Sequence, residues 1–351
     1  MFPPKKLVFL LIPLFLLGSC TNEYWQFHEQ KASLDNKKQS NEQSLRNFSV
    51  EQIEDRDVEI LTTPDKKVLD RIVGMIEQAK KEVYVEVYIL TEKRIIQALK
   101  DAQKRNVRVH VVLEKNVFGA TSINSKALKT LQESGIQVTY DNSKLYNFVH
   151  TKLLIMDDSY VIMTGNLSYA SFTTNREFYV FGTNPRDLQT LKDIVLADFL
   201  GQEIFESTSN LVISPINSRK KIETLLRSAK KDIFLYAENF WDDAILGILT
   251  EKIASWIPVT VCMADPSKVK SNTEAITLLK SNWIDARTSK KPIIHAKSVL
   301  VDGLYSYIGS ENFSTNSLDE NREIGILTKA SWQFTTLFQR HFEADCPKKG
   351  K

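Results

Sequence analysis

Residues 295–302 read His-Ala-Lys-Ser-Val-Leu-Val-Asp, and residues 150–157 read His-Thr-Lys-Leu-Leu-Ile-Met-Asp. The two stretches share a histidine, a lysine two residues later and an aspartate five residues after the lysine. Each is followed by the tripeptides Asn-x-Ser and Asn-Arg-Glu, which occupy residues 166–168, 175–177, 312–314 and 321–323. Matched polar residues in two copies predict a duplicated unit with one site formed from two halves.

The repeat extends upstream of both copies. Residues 71–81 run into the apolar stretch 83–88, and residues 222–231 run into 233–238, which predicts an amphipathic helix followed by a strand in each half. A repeat of this length is a duplicated domain, because solenoid units have periods of about 20–50 residues. Alternating helices and strands favour α/β layers around a mostly buried sheet.

Two glutamates on these first strands, Glu86 and Glu238, are interpreted as equivalent positions. Two roles are open for them, a place at the border of a cleft and a structural hydrogen bond.

The residue types in the repeat suit chemistry at an anionic phosphorus centre. His and Lys at positions i and i+2 of a strand point to the same face. Histidine can act as acid, base or nucleophile because its unperturbed pKa is about 6.5. Lysine provides positive charge where negative charge accumulates on phosphate oxygens, and asparagine can donate hydrogen bonds to the same oxygens.

The two copies resemble the duplicated HxKxxxxD motif of the phospholipase D superfamily. The second copy fits closely and continues into Gly309-Ser310-Glu311-Asn312, whereas the first reads Met163-Thr164-Gly165-Asn166, is one residue shorter and lacks the serine after the glycine. The resemblance implies two tandem α/β domains, residues 58–206 and 207–345, related by a pseudo-twofold axis. Each is expected to be a mixed, mostly parallel sheet flanked by helices.

The resemblance also implies a mechanism. One histidine attacks phosphorus to form a covalent phosphohistidine, the other protonates the leaving oxygen, and the expected assignment is His150 as nucleophile and His295 as general acid. Each glutamate of the Asn-Arg-Glu segments is expected to accept a hydrogen bond from the other nitrogen of its half's histidine, and Asp157 and Asp302 to hold local turns. The further predicted catalytic residues are Lys152, Asn166, Glu177, Lys297, Ser310, Asn312 and Glu323. No metal or other cofactor is expected.

The N-terminus has the layout of an export signal. Lys5 and Lys6 precede the apolar run 7–17, which is too short for the roughly 20 residues of a membrane-spanning helix. Leu17-Gly18-Ser19-Cys20 resembles the lipobox of bacterial lipoproteins, with an ordinary signal peptide and an incidental cysteine as the alternative. We therefore expect a signal peptide over residues 1–19, a lipid on Cys20, and anchoring to a bacterial membrane, with the outer membrane or cell surface both open.

Composition separates the remaining segments of the chain. Residues 20–57 are polar without an apolar period and predict a disordered tether, and residues 346–351 predict a frayed tail. Removal of Lys5 and Lys6 lowers the formal charge from +3 to +1, so the basic surface typical of nucleic-acid binders is not indicated. Cys262 lies in an apolar run and is expected to be a buried thiol; nothing in the sequence argues for a disulfide or a zinc site.

These observations lead to three functional hypotheses. The first is a metal-independent phosphodiesterase that hydrolyses or transfers the phosphodiester of phospholipids. The second is an endonuclease that uses the same histidine pair on DNA or RNA, and the third is a lipoprotein that binds phosphodiesters without turnover. In each case the chain is expected to be a monomer whose internal repeat acts as a pseudodimer.

Overall fold

The computed structural model describes residues 38, 43, 45–141, 145–205 and 207–348. The predicted signal peptide, Cys20 and the beginning of the predicted tether lie outside the described residues. Two sheets flanked by helices form the described chain, so the α/β fold expected from the sequence is confirmed. Within the described residues no helix is long and apolar enough to cross a membrane.

The first half contains seven strands, β1 (Val58–Thr63), β2 (Glu82–Val87), β3 (Arg108–Leu113), β4 (Gln137–Tyr140), β5 (Lys152–Met156), β6 (Ser159–Met163) and β7 (Asn175–Gly182). Its helices are α1 (Lys66–Gln78), α2 (Lys93–Lys104), α3 (Ser125–Gln132), α4 (Tyr169–Thr173) and α5 (Pro185–Leu200). The strand order in the sheet is β1-β7-β6-β5-β2-β3-β4.

The second half repeats this arrangement with β8 (Leu211–Ser214), β9 (Ile233–Ala237), β10 (Phe240–Trp241), β11 (Val259–Ala264), β12 (Asp285–Ser289), β13 (Ile293–Ile294), β14 (Ser298–Val301), β15 (Tyr305–Gly309), β16 (Phe313–Ser314) and β17 (Glu323–Lys329). Its helices are α6 (Ser218–Arg227), α7 (Asp243–Ala254), α8 (Asn272–Ser281), α9 (Thr315–Asp319) and α10 (Trp332–Asp345). The strand order is β12-β11-β9-β14-β15-β17-β8.

Both sheets are mixed, but their pairing is mostly antiparallel, which corrects the expectation of mostly parallel sheets. Along each sheet four neighbouring pairs are antiparallel and two are parallel. The reason is local: the strand that follows each HxK lysine turns back in a tight hairpin, β5 to β6 and β14 to β15. A short turn can join only antiparallel strands, whereas parallel strands need a longer crossover.

Local sequence signals define the helices that flank the sheets, as α5 illustrates. The Asn184 side chain accepts hydrogen bonds from the backbone N–H of Arg186 and Asp187, and Pro185 occupies the first turn. Gly201 ends the helix with a φ of 67°, in the left-handed region that glycine enters without steric cost.

The two halves share a core where they meet. One cluster of buried residues lies within each half, and a third combines side chains of both, including Leu153, Phe178 and Ile194 of the first half with Leu300 and Phe338 of the second. The helices α5 and α10 contribute to this shared cluster from opposite halves. The halves are therefore packed into one body, with the HxK segments at their junction.

The predicted tether is shorter than expected from the sequence. Phe48, Val50 and Ile53 are buried in the core of the second half, and the Arg56 guanidinium pairs with buried Asp187 of α5 at 2.6 Å. Residues 48–57 therefore belong to the folded body. Three widely spaced apolar residues in a polar segment gave no helical or strand period, which is why the pattern favoured a tether.

The two cysteines of the folded body form a disulfide, contrary to the expected free thiol. Cys262 on β11 and Cys346 at the end of α10 are 84 residues apart, both buried, with a Cα–Cα distance of 5.9 Å. The bond joins α10 to the second sheet, so the predicted tail cannot begin at residue 346. Spacing in sequence does not predict such a long-range pair.

Candidate active site

The main chain before each histidine pairs with the other half of the molecule. His150 N donates to Arg322 O at 2.8 Å, and Arg322 N donates to Phe148 O at 2.8 Å. In the second half, β13 pairs with the start of β7, and His295 N donates to Arg176 O at 3.4 Å. Each HxK segment therefore leaves its own sheet at the histidine, and the strands β5 and β14 begin only at Lys152 and Ser298.

This exchange sets the partner of each histidine. His150 Nδ1 lies 2.8 Å from Glu323 Oε2, and His295 Nδ1 lies 2.8 Å from Glu177 Oε1, with both glutamates fully buried. The sequence interpretation, which paired each histidine with the glutamate of its own half, was wrong on this point. A carboxylate at Nδ1 fixes the tautomer and leaves Nε2 as the nitrogen available for chemistry.

The two HxK lysines are buried beside the histidines. Lys152 Nζ donates to His150 O and Lys297 Nζ to His295 O, each at 2.6 Å. Burial lowers the pKa of Lys152 to about 7, and the nearby charge of Lys297 acts in the same direction. Burial also lowers the pKa of His150 below its ordinary value, against the opposing effect of Glu323.

The site is asymmetric at the carboxyl ends of β2 and β9. Lys152 pairs across the sheet with Val87, and Ser298 pairs with Tyr236. This register makes Tyr88 the equivalent of Glu238, so the interpretation of Glu86 and Glu238 as equivalent positions was wrong. The pattern of apolar residues alone could not fix the alignment.

Tyr88 and Glu238 contact the catalytic candidates in different ways. The Tyr88 ring packs edge-on against His150 with centroids 4.6 Å apart, whereas Glu238 Oε2 lies 2.5 Å from Lys297 Nζ and its Oε1 lies 3.5 Å from His295 Nε2. Burial opposes the charge on Glu238, but His295 and Lys297 together hold the pKa of this carboxyl well below its usual range. The second half thus carries an additional charge next to its histidine, which sequence analysis did not assign to the site.

Glu86 has a different environment from Glu238. Its carboxyl is fully buried. Burial and the neighbouring charge of Asp198 raise its pKa well above the ordinary value. Glu86 is therefore an interior group beneath the junction and does not border the cleft.

The predicted asparagines and hydroxyls occupy equivalent positions. Asn166 and Asn312 are buried, and the Oδ1 atom of each has no hydrogen-bond partner among the residues described. Ser310 Oγ accepts from Ile324 N at 3.0 Å. Thr164 Oγ1 accepts from the matching Phe178 N at 2.9 Å, so Thr164 supplies the hydroxyl that the first copy seemed to lack.

The extra residue of the second copy lies in its hairpin. Lys152 and Lys297 fall in equivalent registers, and so do Met163 and Gly309. The length difference therefore lies in the turn after the aspartate and leaves the two asparagines at equivalent positions.

Asp157 and Asp302 lie in these turns at the end of the hairpin remote from the histidines. Asp157 accepts hydrogen bonds from the backbone N–H of residues 80–82, and Asp302 from those of residues 230–232, at distances of 2.7 to 3.1 Å. Their φ values of 48° and 57° fit residues that tolerate the left-handed region. This is the geometry that a turn-holding role requires.

The arginines of the two Asn-Arg-Glu segments form ion pairs across the junction. Arg176 Nε lies 2.6 Å from Asp345 Oδ2 on α10, and Arg322 Nε lies 2.8 Å from Asp198 Oδ2 on α5. All four side chains are buried, with two hydrogen bonds in each pair. These bidentate pairs hold the strands that carry Glu177 and Glu323 against the opposite half.

A second buried acid lies behind Glu323. The Glu311 carboxyl accepts a short hydrogen bond from the Tyr307 hydroxyl, and its other oxygen has no partner in the part of the chain described. Burial, and then the charge of Glu323, raises the pKa of Glu311 to about 8. At neutral pH Glu311 is therefore mainly protonated, whereas the first half has Gly165 in its place.

No cluster of three or more His, Cys, Asp or Glu side chains suited to a metal ion occurs within the described residues. The positive charge at the site comes from the buried lysines Lys152 and Lys297.

Comparison with known families agrees with the duplicated site. The profile of the family described as "Cardiolipin synthase, PLD-like domain" matches residues 72–198 and 222–346, which is more than half of the chain and includes both HxK segments. The chain belongs to the phospholipase D superfamily. Members of the superfamily act on phosphodiesters of phospholipids or nucleic acids.

Individual relatives cover parts of the chain. A phospholipase D of Rickettsia typhi is 27% identical over 169 residues, 47% of this chain and 78% of that protein. Cardiolipin synthase 1 of Staphylococcus aureus is 34% identical over 115 residues, 30% of this chain and 22% of that protein. The phosphatidylserine synthase structure of Haemophilus influenzae matches with a TM-score of 0.65 and 14% identity over 88% of this chain and 90% of its own, which supports the fold.

Proposed function

We propose that the chain is a metal-independent phosphodiesterase of the phospholipase D type that acts on phospholipids through a covalent phosphohistidine. The observation that carries this proposal is the pair of histidines whose Nδ1 atoms each lie 2.8 Å from a buried glutamate of the opposite half. Such a pair can deliver a nucleophile and an acid to one phosphorus atom.

His150 is the proposed nucleophile. Its lowered pKa keeps the ring neutral near pH 7, and the lone pair on Nε2 forms the bond to phosphorus. As the bond between phosphorus and the leaving oxygen breaks, its electron pair goes to that oxygen, which takes a proton from His295. Water then attacks the phosphohistidine, with His295 accepting its proton, and the nitrogen of His150 is released.

The asymmetry of the site supports this assignment. Glu238 Oε1 lies 3.5 Å from His295 Nε2, so an acidic side chain lies beside the nitrogen that would exchange a proton with the leaving oxygen. Lys152 and Lys297 stabilise the phosphoryl oxygens, and Asn166 and Asn312 direct their amides to the same oxygens.

We further propose export and membrane attachment through a lipid on Cys20, with the catalytic body as a monomer. The support is the lipobox-like sequence Leu17-Gly18-Ser19-Cys20 after a short apolar run. The disulfide between Cys262 and Cys346 supports an oxidising compartment, where such bonds persist.

Side-by-side assays of the full chain on phosphatidylcholine vesicles and on plasmid DNA test the activity. We expect choline release that persists in excess EDTA and disappears in the double variant His150→Asn, His295→Asn. DNA nicking without lipid turnover would replace the proposal by the endonuclease hypothesis. A folded chain inactive on both substrates would instead support the non-catalytic hypothesis.

A further inference from the structure

Four helices of the described chain, α2, α3, α7 and α8, end in the same backbone geometry. Each is followed by a strand that pairs in parallel with a neighbouring strand. The residue that closes each end has a left-handed φ: 65° at Asn106, 78° at Gly135, 62° at Trp256 and 63° at Trp283. Asparagine and glycine are the usual residues there, because a bulky side chain is strained at positive φ. The second half places tryptophan at both positions where the first half has asparagine and glycine.

Helix capping does not explain these tryptophans. Trp256 N donates to Ile253 O and Trp283 N to Lys280 O, each at 3.0 Å, and the first half makes the same bonds with Asn106 and Gly135. Packing does not explain them either, because Trp256 is 94% and Trp283 86% exposed. Two tryptophans at positive φ that are almost fully exposed are consistent with selection for an external surface.

The two tryptophans are neighbours at the end of the second sheet where β9, β11 and β12 begin. This end is remote from the histidines. They precede β11 and β12, which are parallel neighbours about 4.8 Å apart. The same edge carries Leu304, 60% exposed in the turn from β14 to β15, and Trp332, 73% exposed at the start of α10. We call these four residues the distal edge.

Lysines accompany the apolar residues of the distal edge. Lys230 and Lys231 are exposed shortly before β9, between the tryptophan pair and Leu304 in the order of the sheet, and Lys231 Nζ lies 3.8 Å from Asp232 Oδ2. The neighbouring Asp302 carboxylate is occupied by the backbone N–H groups of residues 230–232. Exposed aromatic rings next to lysines are the combination that the headgroup region of a bilayer accommodates.

The N-terminal segment enters the folded body at this same edge. Asp55 Oδ1 lies 3.4 Å from Lys329 Nζ, at the end of β17 next to the start of α10. Glu54 N donates to Asn210 Oδ1, directly before β8 begins. The residues N-terminal to these contacts include the short apolar run 7–17, so an attachment there would tether the folded body from the side of the distal edge.

We propose that the distal edge lies on a phospholipid bilayer, with the Trp256 and Trp283 rings in the headgroup region. The inference concerns binding and does not depend on the proposed catalysis. The carboxyl ends of β2 and β9, next to His150 and His295, are at the opposite end of the sheets. The active site therefore opens away from that bilayer, and a phosphodiester reaches it from the other side.

Tryptophan fluorescence of the full chain reconstituted in vesicles tests the proposal. The vesicles contain phosphatidylglycerol and phosphatidylcholine brominated on its acyl chains, which quenches rings at the bilayer surface. The test variant is Trp256→Asn with Trp283→Gly, which installs the residues of the first half and removes the strain. The control is Trp241→Phe, because Trp241 is partly exposed on β10 at the opposite edge.

We expect quenching of the parent chain, an equal or greater degree in the Trp241→Phe control, and a smaller degree in the double variant. A thermal melt at or above that of the parent shows that the double variant is folded. Absence of quenching in the parent, equal quenching in the double variant, or loss of quenching in Trp241→Phe overturns the proposal. The rings could instead be shielded from solvent in a way that disappears when the protein is diluted. That result would identify a second copy of the chain as the partner and would also overturn the proposal.

Discussion

His150 Nδ1 lies 2.8 Å from Glu323 Oε2, although the two residues belong to different halves and are 173 residues apart. The reciprocal contact between His295 and Glu177 has the same length. Neither half therefore supplies the carboxylate at Nδ1 of its own histidine, and the candidate site lies at the junction between the halves.

The roles of the histidines can be separated with an activated substrate whose leaving group needs no proton. His295→Asn should release this group once and retain phosphate on His150, whereas His150→Asn should give neither release nor label. On ordinary substrate each single variant should lose roughly a thousandfold or more, and the double variant little more, because these groups act as a unit. Mapping of acid-labile phosphate after a quench is the measurement, and label on His295 would reverse the assignment.

The crossed pairs predict which glutamate supports which step. Glu323→Gln should slow formation of the phosphohistidine on His150 for every substrate, because it removes the charge at Nδ1 of the nucleophile. Glu177→Gln should impair leaving-group protonation through His295, so the activated substrate should restore much of the lost rate. Single-turnover kinetics measure the two rates. If the activated substrate restored the rate of Glu323→Gln and not that of Glu177→Gln, the result would contradict this pairing.

The pKa of Lys152, lowered by burial to about 7, predicts an alkaline limit to activity. The ammonium must be charged to stabilise the phosphoryl oxygens, and it loses its proton as the pH rises through its pKa. We expect kcat/KM to decline above about pH 7, and Lys152→Arg to move this decline to higher pH at a lower maximum, since guanidinium stays charged. An unchanged descending limb in Lys152→Arg would assign the decline to another group.

Glu311 predicts a stability that falls as the pH rises. Its folded pKa of about 8 lies above the ordinary 4.5, so between these values the folded chain binds a proton that the unfolded chain has lost. Over this window the free energy of unfolding should decrease by up to about 1.4 kcal/mol per pH unit from this group. Glu311→Gln should remove this dependence of stability on pH. Urea unfolding of both proteins at several pH values, with the disulfide intact, gives the comparison. The same dependence in the variant as in the parent would exclude Glu311 as its source.

Membrane attachment through Cys20 predicts a simple fractionation result. Cys20→Ser should abolish incorporation of labelled lipid and release the chain from the membrane fraction after a high-salt wash. A variant that remains bound without label would show that the apolar run 7–17 or the distal edge retains the protein on its own.

The duplicated pattern predicted the fold, the two halves and the residues that meet at the junction. It could do so because His150, Lys152 and Asn166 recur in the same order in the second half, the histidine and lysine with the same spacing. The crossing of Glu177 and Glu323 was not predictable, because it depends on main-chain pairing between segments far apart in sequence.

Other features escaped prediction for local reasons. Thr164 supplies a hydroxyl where a search for serine finds none, and the position of Glu238 depends on a strand register that an apolar run leaves open. Cys262 and Cys346 meet only because α10 returns to β11. The spacing of residues in the sequence predicts which side chains of one half belong to the site. Contacts that depend on how the two halves pack together can be found only from the structure.

The ion pair between Arg176 and Asp345 also sets an order of events during synthesis. Asp345 and Cys346 follow both histidines in the chain, so they leave the ribosome after every other part of the site has been made. Until then the strand bearing Glu177 lacks its partner on α10. We expect a nascent chain to be unable to cleave phosphodiesters, and to gain this activity only after α10 has docked. The lipids and nucleic acids of the compartment in which the chain is translated would then be protected from it.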